Sequence, residues 1–374
     1  MMKILADMNM PGLDGSFAHH GDIRRLDGRR ICRSDLIDAD VLLVRSVTRV
    51  GADLLQGTNI RFVGSATIGI DHLDTPWLEA NNIAWAHAPG CNANAAAQYA
   101  LAMMWLACER LNRDFAQQTV GIIGRGNVGR RLEHLLKVLG IPVMSCDPPL
   151  QDEGQQQLVS MDEVCGSSIL SLHVPLTSNG KYPTKKLFNA RRLEKLKPDT
   201  LLVNTSRGAV IEKAPLLGQL RSGRLQAALD VWPDEPFIDA GMLKLVTVAT
   251  PHVAGYSSEG KQAGTDMIYS AFCKALSLQP VSKPISGGKT VTLDFPPLTS
   301  TREVLRKSVQ SASQVNRDDT ALRELTPLKA GDTRVQIDSL RAAYPERFEF
   351  KSHRVRGVAE ADANLLGQLG FKTT

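Results

Sequence analysis

The stretch Thr119-Val-Gly-Ile-Ile-Gly-Arg-Gly-Asn-Val-Gly129 joins an apolar run to a loop rich in glycine. The run at 120–123 is typical of a buried strand, and the four leucines after the loop repeat at the spacing of one helix face. A strand, a GxGxxG loop and a helix in this order predict a dinucleotide-binding unit. In such a unit, Gly124 makes the tight turn, Gly126 lets the backbone approach a pyrophosphate, and Gly129 lets the helix pack closely on the strand.

An acidic residue follows the next predicted strand. Asp147 ends the segment Val143-Met-Ser-Cys-Asp147, where a carboxylate can accept hydrogen bonds from the hydroxyls of an adenosine ribose. A negative charge at this point disfavours the extra phosphate of NADP, so the predicted cofactor is NAD. Its predicted contacts in the glycine loop are Gly124, Arg125, Gly126, Asn127, Val128 and Gly129.

Short apolar runs alternate with helical patterns, which predicts an α/β fold with two doubly wound parallel-sheet domains. The first sheet is expected from strands at 3–6, 41–44, 61–63 and 83–86. The second is expected from strands at 120–123, 142–146, 169–173, 201–204, 227–230 and 246–250. The segment 94–111 is apolar on nearly all sides and predicts a helix that other elements cover.

Three charged side chains lie at or near the ends of the later runs. Arg207 follows the run at 201–204, His252 follows the run at 246–250, and Glu235 lies between them. The carboxyl ends of parallel strands meet at one edge of a sheet, so we expect these side chains to form one catalytic set. Histidine can exchange a proton near neutral pH, a carboxylate can orient it, and arginine can hold a substrate carboxylate in a bidentate fork.

Composition and charge argue against several classes of protein, among them nucleic-acid-binding, secreted and membrane proteins. The chain has 374 residues, a net charge of +5 and no run of five basic residues, so no nucleic-acid partner is expected. Its six cysteines are far apart, which favours reduced thiols and a cytoplasmic protein. Neither a signal peptide nor a membrane span is expected. His19-His20 has no acid or cysteine at ligand spacing, so no metal site is expected.

Several of these stretches resemble the D-isomer-specific 2-hydroxyacid dehydrogenases, over roughly residues 1–275. They are the glycine loop, Asn204-Thr-Ser-Arg-Gly-Ala-Val210, Leu229-Asp-Val-Trp-Pro-Asp-Glu-Pro236 and Thr250-Pro-His252. Val44-Arg-Ser-Val-Thr48, Ala88-Pro-Gly-Cys-Asn92, Asn316-Arg-Asp-Asp319 and the C-terminal extension are similar to one member of that family. The substrate of that member is a phosphorylated 2-hydroxy acid.

The resemblance implies roles for individual positions. Arg207, Glu235 and His252 would be catalytic, while Ser46, Thr67 and Tyr256 would contact the substrate. Further contacts with NAD would come from Asp147, Val174, Thr205, Ser206, Arg207, Asp230 and Gly255. Residues 1–93 with 254–279 would form a flavodoxin-like substrate domain, 94–253 a Rossmann NAD domain, and 280–374 a C-terminal α+β domain that makes a homodimer.

Some positions depart from the family pattern, and some alternatives stay open. Arg125 puts a cation inside the glycine loop, and Val174 stands where a threonine is frequent. The substrate phosphate could be held by Ser46, Thr67, Arg45 and a helix N-terminus after Ser46, or equally by arginines of the C-terminal segment. The alternatives for function are a dehydrogenase acting on phosphoglycerate, glycerate or glyoxylate, and a non-enzymatic NAD sensor of the same fold.

Overall fold

The computed structural model describes residues 1–281, 289–296, 300–325 and 333–374. The chain divides into two compact units. Unit 1 combines Met1–Asn92 with Ser257–Gly288, of which 282–288 lie outside the described residues, and unit 2 combines Ala93–Tyr256 with Lys289–Thr374. The C-terminal residues thus cluster with the predicted NAD-binding segment, and the division into three domains stays a prediction.

Unit 1 is built on a parallel sheet of five strands within the described residues. In chain order its elements are β1 (Met2–Asp7), β2 (Gly21–Leu26), β3 (Val41–Val44), α1 (Ala52–Leu55), β4 (Phe62–Ser65), α2 (Thr75–Ala80) and β5 (Ala84–His87). The strand order β2-β1-β3-β4-β5 is the flavodoxin-like order. This confirms the predicted fold class for this part of the chain.

Unit 2 begins with α3 (Ala93–Arg110) and contains a second parallel sheet. Its strands are β6 (Val120–Ile123), β7 (Val143–Cys146), β8 (Ile169–Leu172), β9 (Leu201–Asn204), β10 (Gln226–Leu229) and β11 (Val248–Ala249). The helices between them are α4 (Gly129–Val138), α5 (Pro148–Asp152), α6 (Met161–Val164), α7 (Ala190–Lys195), α8 (Lys213–Arg221) and α9 (Ala240–Leu245). The strand order is β11-β10-β9-β8-β6-β7, with all strands parallel. The chain adds β7 on one side of β6 and the later strands on the other side, so the strand order changes direction at β6, directly before the glycine loop.

The remaining elements complete both units. In unit 1, α10 (Ser258–Ala275) packs on β4 and β5. In unit 2, the C-terminal segment contains β12 (Val291–Asp294), α11 (Thr301–Ser313), α12 (Val315–Glu324), α13 (Thr333–Ala342), β13 (His353–Arg356), α14 (Glu360–Leu369) and β14 (Lys372–Thr373). Its three strands form a small parallel sheet. The mixture of helices and strands that was predicted for the extension is therefore confirmed.

The helix α3 is the core of unit 2. Strands β9, β10 and β11 and the helix α4 contact it, and so do α11 and α12 of the C-terminal segment. This explains why its sequence is apolar on nearly every face, because each face is covered by another element of unit 2.

Two adjacent acids attach the C-terminal segment to the rest of unit 2. The buried carboxylate of Asp318 accepts hydrogen bonds from the hydroxyls of Tyr99 (2.8 Å) and Tyr344 (2.7 Å). The carboxylate of Asp319 accepts one from the Ala249 N–H (2.6 Å) and pairs with Arg110 (2.8 Å). Because Ala249 lies in β11, the extension directly fixes the strand that leads to His252.

The sequence missed one strand of unit 1. β2 lies at the sheet edge and alternates polar with apolar residues (Gly21-Asp-Ile-Arg-Arg-Leu26), so it lacks the apolar run used to predict the others. Within the described ranges, no helix is long and apolar enough to cross a membrane.

Candidate active site

Three neighbouring strands deliver the candidate catalytic groups to one edge of the second sheet. β10 pairs with β9 on one side and with β11 on the other, all in parallel. Arg207 follows β9, Asp230 follows β10, and His252 follows β11. The structure therefore places these residues at the carboxyl ends of adjacent strands, as the sequence predicted.

Glu235 and His252 form a hydrogen-bonded pair. The Nδ1 atom of His252 lies 2.7 Å from Oε2 of Glu235, and the Trp232 N–H donates to Oε1 at 2.8 Å. Burial acts to raise the pKa of Glu235, but His252, the Trp232 N–H and Arg341 outweigh it and hold that pKa below its ordinary value. A carboxylate at Nδ1 fixes a proton there and leaves Nε2 to exchange a proton with a substrate. The histidine side chain is 33% exposed.

The backbone of His252 is held in an unfavourable conformation. Its φ of +60° lies in the left-handed region, which residues other than glycine rarely adopt. The neighbouring residues are fixed by Asp230, which is 0% exposed. Asp230 Oδ1 accepts from the Thr250 hydroxyl (2.7 Å) and the Val253 N–H (2.9 Å), and Oδ2 accepts from the Ala254 N–H (3.0 Å). Three hydrogen bonds around His252 thus hold its backbone in place.

The same loop is bound from the C-terminal segment by Arg347. This arginine is 4% exposed and donates to the carbonyl oxygens of Val253 (3.0 Å), Ala254 (2.6 Å) and Tyr256 (3.0 Å). Its guanidinium also lies over the ring of Tyr99, 4.7 Å from the centroid. The sequence did not identify Arg347, because no local motif marks a residue that acts on a loop about ninety positions earlier.

Gly208 is required by the turn that presents Arg207. A Cβ atom at this position would lie 1.8 Å from the carbonyl oxygen of Trp232. The turn is also held by Asn204, whose Nδ2 donates to the Arg207 carbonyl oxygen at 2.9 Å. Trp232 in turn donates from Nε1 to the Thr250 carbonyl at 3.0 Å. One tryptophan therefore contacts the arginine turn, the glutamate and the strand end before the histidine.

The glycine loop has the geometry that a dinucleotide needs. Gly124 has a φ of +91°, and a Cβ on Gly129 would lie 2.1 Å from the Gly124 carbonyl oxygen. Both positions therefore require glycine. Outside its two chain neighbours, no described residue has an atom within 4 Å of a Cβ built on Gly126, so open space is available beside the backbone where a pyrophosphate would bind.

Polar groups around the loop also fit NAD. Asp147 follows β7, and its Oδ2 accepts from the Arg125 N–H at 2.7 Å. The Thr205 hydroxyl is buried and has no hydrogen-bond partner among the described residues, which suits a group that meets a ligand. By contrast, the Ser206 hydroxyl donates to Asn204 Oδ1 at 2.8 Å. Asp147, Thr205 and Ser206 are therefore candidates for holding NAD in this chain.

The two departures at the cofactor loop do not obstruct it. The Arg125 guanidinium forms an ion pair with Glu133 of α4, and its side chain is therefore directed to that helix. A Cβ on Gly124 would lie 2.9 Å from Cγ1 of Val174, which places this valine against the glycine turn. Asn127 accepts from Arg130 at 2.6 Å, and Val128 directly precedes α4.

The predicted substrate contacts fall in both units. In unit 1, Ser46 is exposed, and the Thr67 hydroxyl donates to the Gly69 carbonyl at 2.9 Å. The expected helix N-terminus after Ser46 is wrong: residues 46–47 form a turn, and α1 begins at Ala52. Arg45 is bound to the buried Asp7, with Nε 3.0 Å from Oδ2.

In unit 2, Tyr256 and Gly255 lie in the loop just after His252. Gly255 is part of a turn that the Tyr256 N–H closes by donating to the Val253 carbonyl at 2.8 Å. The Tyr256 hydroxyl accepts from Arg341 Nε at 3.1 Å. The sequence did not identify Arg341 either, because it lies in the weakly patterned C-terminal segment.

The other histidine at this edge of the sheet does not compete for the proton. His173 follows β8, and burial lowers its pKa to about 3, so it is neutral near pH 7. Its Nε2 lies 2.8 Å from the Ser171 hydroxyl. Within the described ranges, no group of histidine, cysteine and acidic side chains could hold a metal ion.

Comparison with known proteins identifies the NAD-binding domain. Residues 88–254 match the family described as D-isomer specific 2-hydroxyacid dehydrogenase, NAD binding domain. This range contains the glycine loop and the three catalytic candidates, and the match confirms NAD as the cofactor.

Relatives match the chain over nearly its whole length. The erythronate-4-phosphate dehydrogenase of Hahella chejuensis is 41% identical, with 98% of this chain and 97% of that protein aligned. The erythronate-4-phosphate dehydrogenase of Stutzerimonas stutzeri is 42% identical over 95% of this chain and 94% of that protein. The NAD+-bound 3-phosphoglycerate dehydrogenase of Entamoeba histolytica has the same fold, with a TM-score of 0.65 and 21% identity over 74% of this chain and 95% of that one.

Replacing Gly208 tests the turn that carries Arg207. We expect Gly208→Ala to lower the free energy of unfolding by about 1–3 kcal/mol, because the methyl group meets a backbone carbonyl that cannot move freely. Turnover should fall as well, since relief of the clash displaces Arg207. Denaturant unfolding and steady-state kinetics measure the two effects. The control is Gly218→Ala in α8, where a Cβ meets no atom of another described element within 4 Å and the change should be neutral or stabilising. Equal behaviour of the two variants would contradict the role of Gly208.

Replacing Asp230 tests the support of the His252 loop. Asp230→Asn keeps the shape but offers one oxygen to three donors, so buried donors lose partners. We expect a loss of about 1–3 kcal/mol in the free energy of unfolding, together with a lower kcat. The control is Asp152→Asn, which removes an exposed ion pair with Lys181 and should leave the free energy of unfolding close to that of the wild type. A variant with unchanged stability and unchanged kcat would refute the support role.

Proposed function

The chain belongs to the erythronate-4-phosphate dehydrogenases, within the D-isomer specific 2-hydroxyacid dehydrogenase family, and we propose that it oxidises 4-phospho-D-erythronate with NAD. The product is 3-hydroxy-2-oxo-4-phosphooxybutanoate, and the step serves the synthesis of pyridoxal phosphate. The observation that carries the proposal is the hydrogen-bonded Glu235–His252 pair at the same sheet edge as Arg207 and the glycine loop.

The proton of the reacting hydroxyl goes to His252. When bound, NAD supplies the acceptor for the hydride that leaves C2. Nε2 of His252 takes the proton from the C2 hydroxyl, because Nδ1 is already engaged by Glu235 at 2.7 Å. The carboxylate of Glu235 then stabilises the imidazolium. Its lowered pKa keeps it ionised through the neutral range, so it can do so at physiological pH.

Arg207 binds the carboxylate at C1 and the reacting oxygen at C2. A guanidinium suits this task because its planar fork matches a carboxylate. Its main chain is fixed by Gly208 and Asn204, which supports a defined position for its side chain. Ser46 and Thr67 of unit 1 and Tyr256 of unit 2 are proposed to contact the substrate, while Asp147, Val174, Thr205, Ser206, Asp230 and Gly255 are proposed to contact NAD.

Assembly and location belong to the same proposal. We propose a homodimer formed through residues 280–374 and a cytoplasmic enzyme. The contacts of Asp319 and Arg347 support a C-terminal segment that also serves the active site of its own subunit.

A substrate panel tests the activity. We expect NADH to form with 4-phosphoerythronate, with a kcat/KM well above that for 3-phosphoglycerate, glycerate or glycolate. NADP should be a poor replacement, because Asp147 repels its extra phosphate. The measurement is NADH absorbance under initial-rate conditions. Preference for another hydroxy acid would identify a different dehydrogenase, and tight NAD binding without turnover of any acid would identify an NAD sensor.

The pH profile tests the Glu235–His252 pair. Protonation of His252 should abolish oxidation, so kcat/KM should fall on the acid side of its profile. Glu235→Gln can still accept from Nδ1 but removes the negative charge, which makes the imidazolium less favourable. We therefore expect the acid limb to move to lower pH and kcat to fall by about 10²-fold.

The matched control for this experiment is His252→Ala. This variant should lose roughly 10²–10⁴-fold in kcat and should also lose the acid limb itself. A Glu235→Gln profile that superimposes on that of the wild type would show that the carboxylate does not stabilise the imidazolium. Near-full turnover of a folded His252→Ala variant would exclude His252 as the base.

A further inference from the structure

A second arginine lies beside the catalytic pair. Arg341 is in the last turn of α13, and its Nε donates to the Tyr256 hydroxyl at 3.1 Å. Its guanidinium lies over the Tyr256 ring, 5.6 Å from the centroid. The charge of Arg341 also reaches Glu235, where it helps to lower the pKa of that carboxyl. A cation of the C-terminal segment is therefore close to the residues that handle the substrate.

Among the residues that the structure describes, no anion is hydrogen-bonded to Arg341. Among the described residues, its hydrogen-bond partner is a neutral phenol, and it takes part in none of their ion pairs. Burial acts to lower the pKa of Arg341, but Tyr256 and two carboxylates outweigh it and raise that pKa. The carboxylates, Glu235 and Asp338, act through space. A partly buried guanidinium without a paired anion is unfavourable, which is the arrangement expected where an anionic ligand completes the site.

The surroundings hold Arg341 in a defined position. The Tyr256 ring meets the Tyr344 ring edge to face, with centroids 5.6 Å apart and an interplanar angle of 89°. Tyr344 is anchored by its hydrogen bond to Asp318, and the Arg317 guanidinium lies over its ring, 5.3 Å from the centroid. The Tyr256 ring that Arg341 contacts is thus itself packed on Tyr344, which favours a built site over a mobile surface charge.

The other arginines near the predicted substrate contacts are already engaged. Arg347 donates to three carbonyl oxygens of the His252 loop, and Arg45 is bound to the buried Asp7. In the proposed mechanism, Arg207 binds the carboxylate end of the substrate. The anion that remains to be recognised is the phosphate at C4, two carbons beyond the carbon that is oxidised.

We propose that Arg341, together with the Tyr256 hydroxyl, binds the phosphate group of the substrate. This inference rests on the proposed function, and it assigns the preference for a phosphorylated acid to the C-terminal segment of the same subunit. A guanidinium can donate two parallel hydrogen bonds to phosphate oxygens while Nε keeps its contact with Tyr256. The same contact would orient the four-carbon chain with C2 toward His252.

The test compares two substrates that differ only in the phosphate. Full-length wild type, Arg341→Met and Arg341→Lys are assayed with NAD on 4-phosphoerythronate and on erythronate. Competitive inhibition by erythronate replaces kcat/KM if its turnover is below detection. For Arg341→Met we expect a loss of roughly 10- to 100-fold in kcat/KM for the phosphorylated acid. We expect a change of less than about threefold for erythronate. Lysine keeps the charge but not the fork, so Arg341→Lys should be intermediate.

Inorganic phosphate gives an independent readout of the same site. It should inhibit oxidation of 4-phosphoerythronate competitively, and Arg341→Met should weaken that inhibition by a factor similar to the loss in kcat/KM. The matched control is Arg356→Met, which removes an exposed arginine of the same segment and should change none of these values.

The outcomes separate this inference from the proposed function. If wild type fails to prefer 4-phosphoerythronate over other 2-hydroxy acids, the proposed function fails. If wild type shows that preference but Arg341→Met loses activity equally on both substrates, Arg341 acts on the catalytic pair and the inference is overturned. No loss on either substrate also overturns it. Retained action on erythronate shows in the same assay that the variant is folded.

Discussion

The placement of His252 depends on a short loop that two oppositely charged, buried side chains hold from different directions. Asp230 accepts hydrogen bonds from the loop, and Arg347 donates to its carbonyl oxygens. The backbone of His252 has a positive φ, which is unfavourable for residues other than glycine. It persists here because hydrogen bonds fix the residues on both sides of the histidine. A histidine on an unsupported loop would relax to a more favourable φ, and its ring would then leave Glu235. The catalytic geometry is therefore a consequence of these backbone hydrogen bonds.

This dependence makes the C-terminal segment a part of the active site. Arg347 lies in that segment, and so does Asp319, which binds the Ala249 N–H at the end of β11. Both residues act on the strand and loop that carry His252, from positions outside the matched NAD-binding range of 88–254. The grouping of Lys289–Thr374 with Ala93–Tyr256 in one compact unit follows from such contacts. An extension that served only to join two subunits would not need buried hydrogen bonds to the loop after β11.

The sequence predicted those features that local patterns encode. An apolar run followed by a polar residue marked the strand ends before Gly124, Arg207 and His252, and the sheet order then brought them to one edge. It missed β2, because an edge strand with alternating polar residues has no apolar run. It could not identify Arg341 or Arg347, since their partners lie about ninety positions away and no spacing rule connects them. The wrong helix after Ser46 arose from applying a common βα pattern where the chain makes a turn.

The charges around Glu235 explain why this carboxylate is already ionised before His252 accepts the proton of the substrate. A partly buried carboxylate next to a neutral imidazole has a raised tendency to take up a proton, and the base would then lack a counter-charge. Here the Trp232 N–H and the positive charge of Arg341 act with His252 against burial, so the pKa of Glu235 stays below its ordinary value. The contributions of the Trp232 N–H and Arg341 to this lowered pKa do not depend on protonation of His252. The negative charge is thus present beforehand, and the imidazolium can form without a second proton transfer.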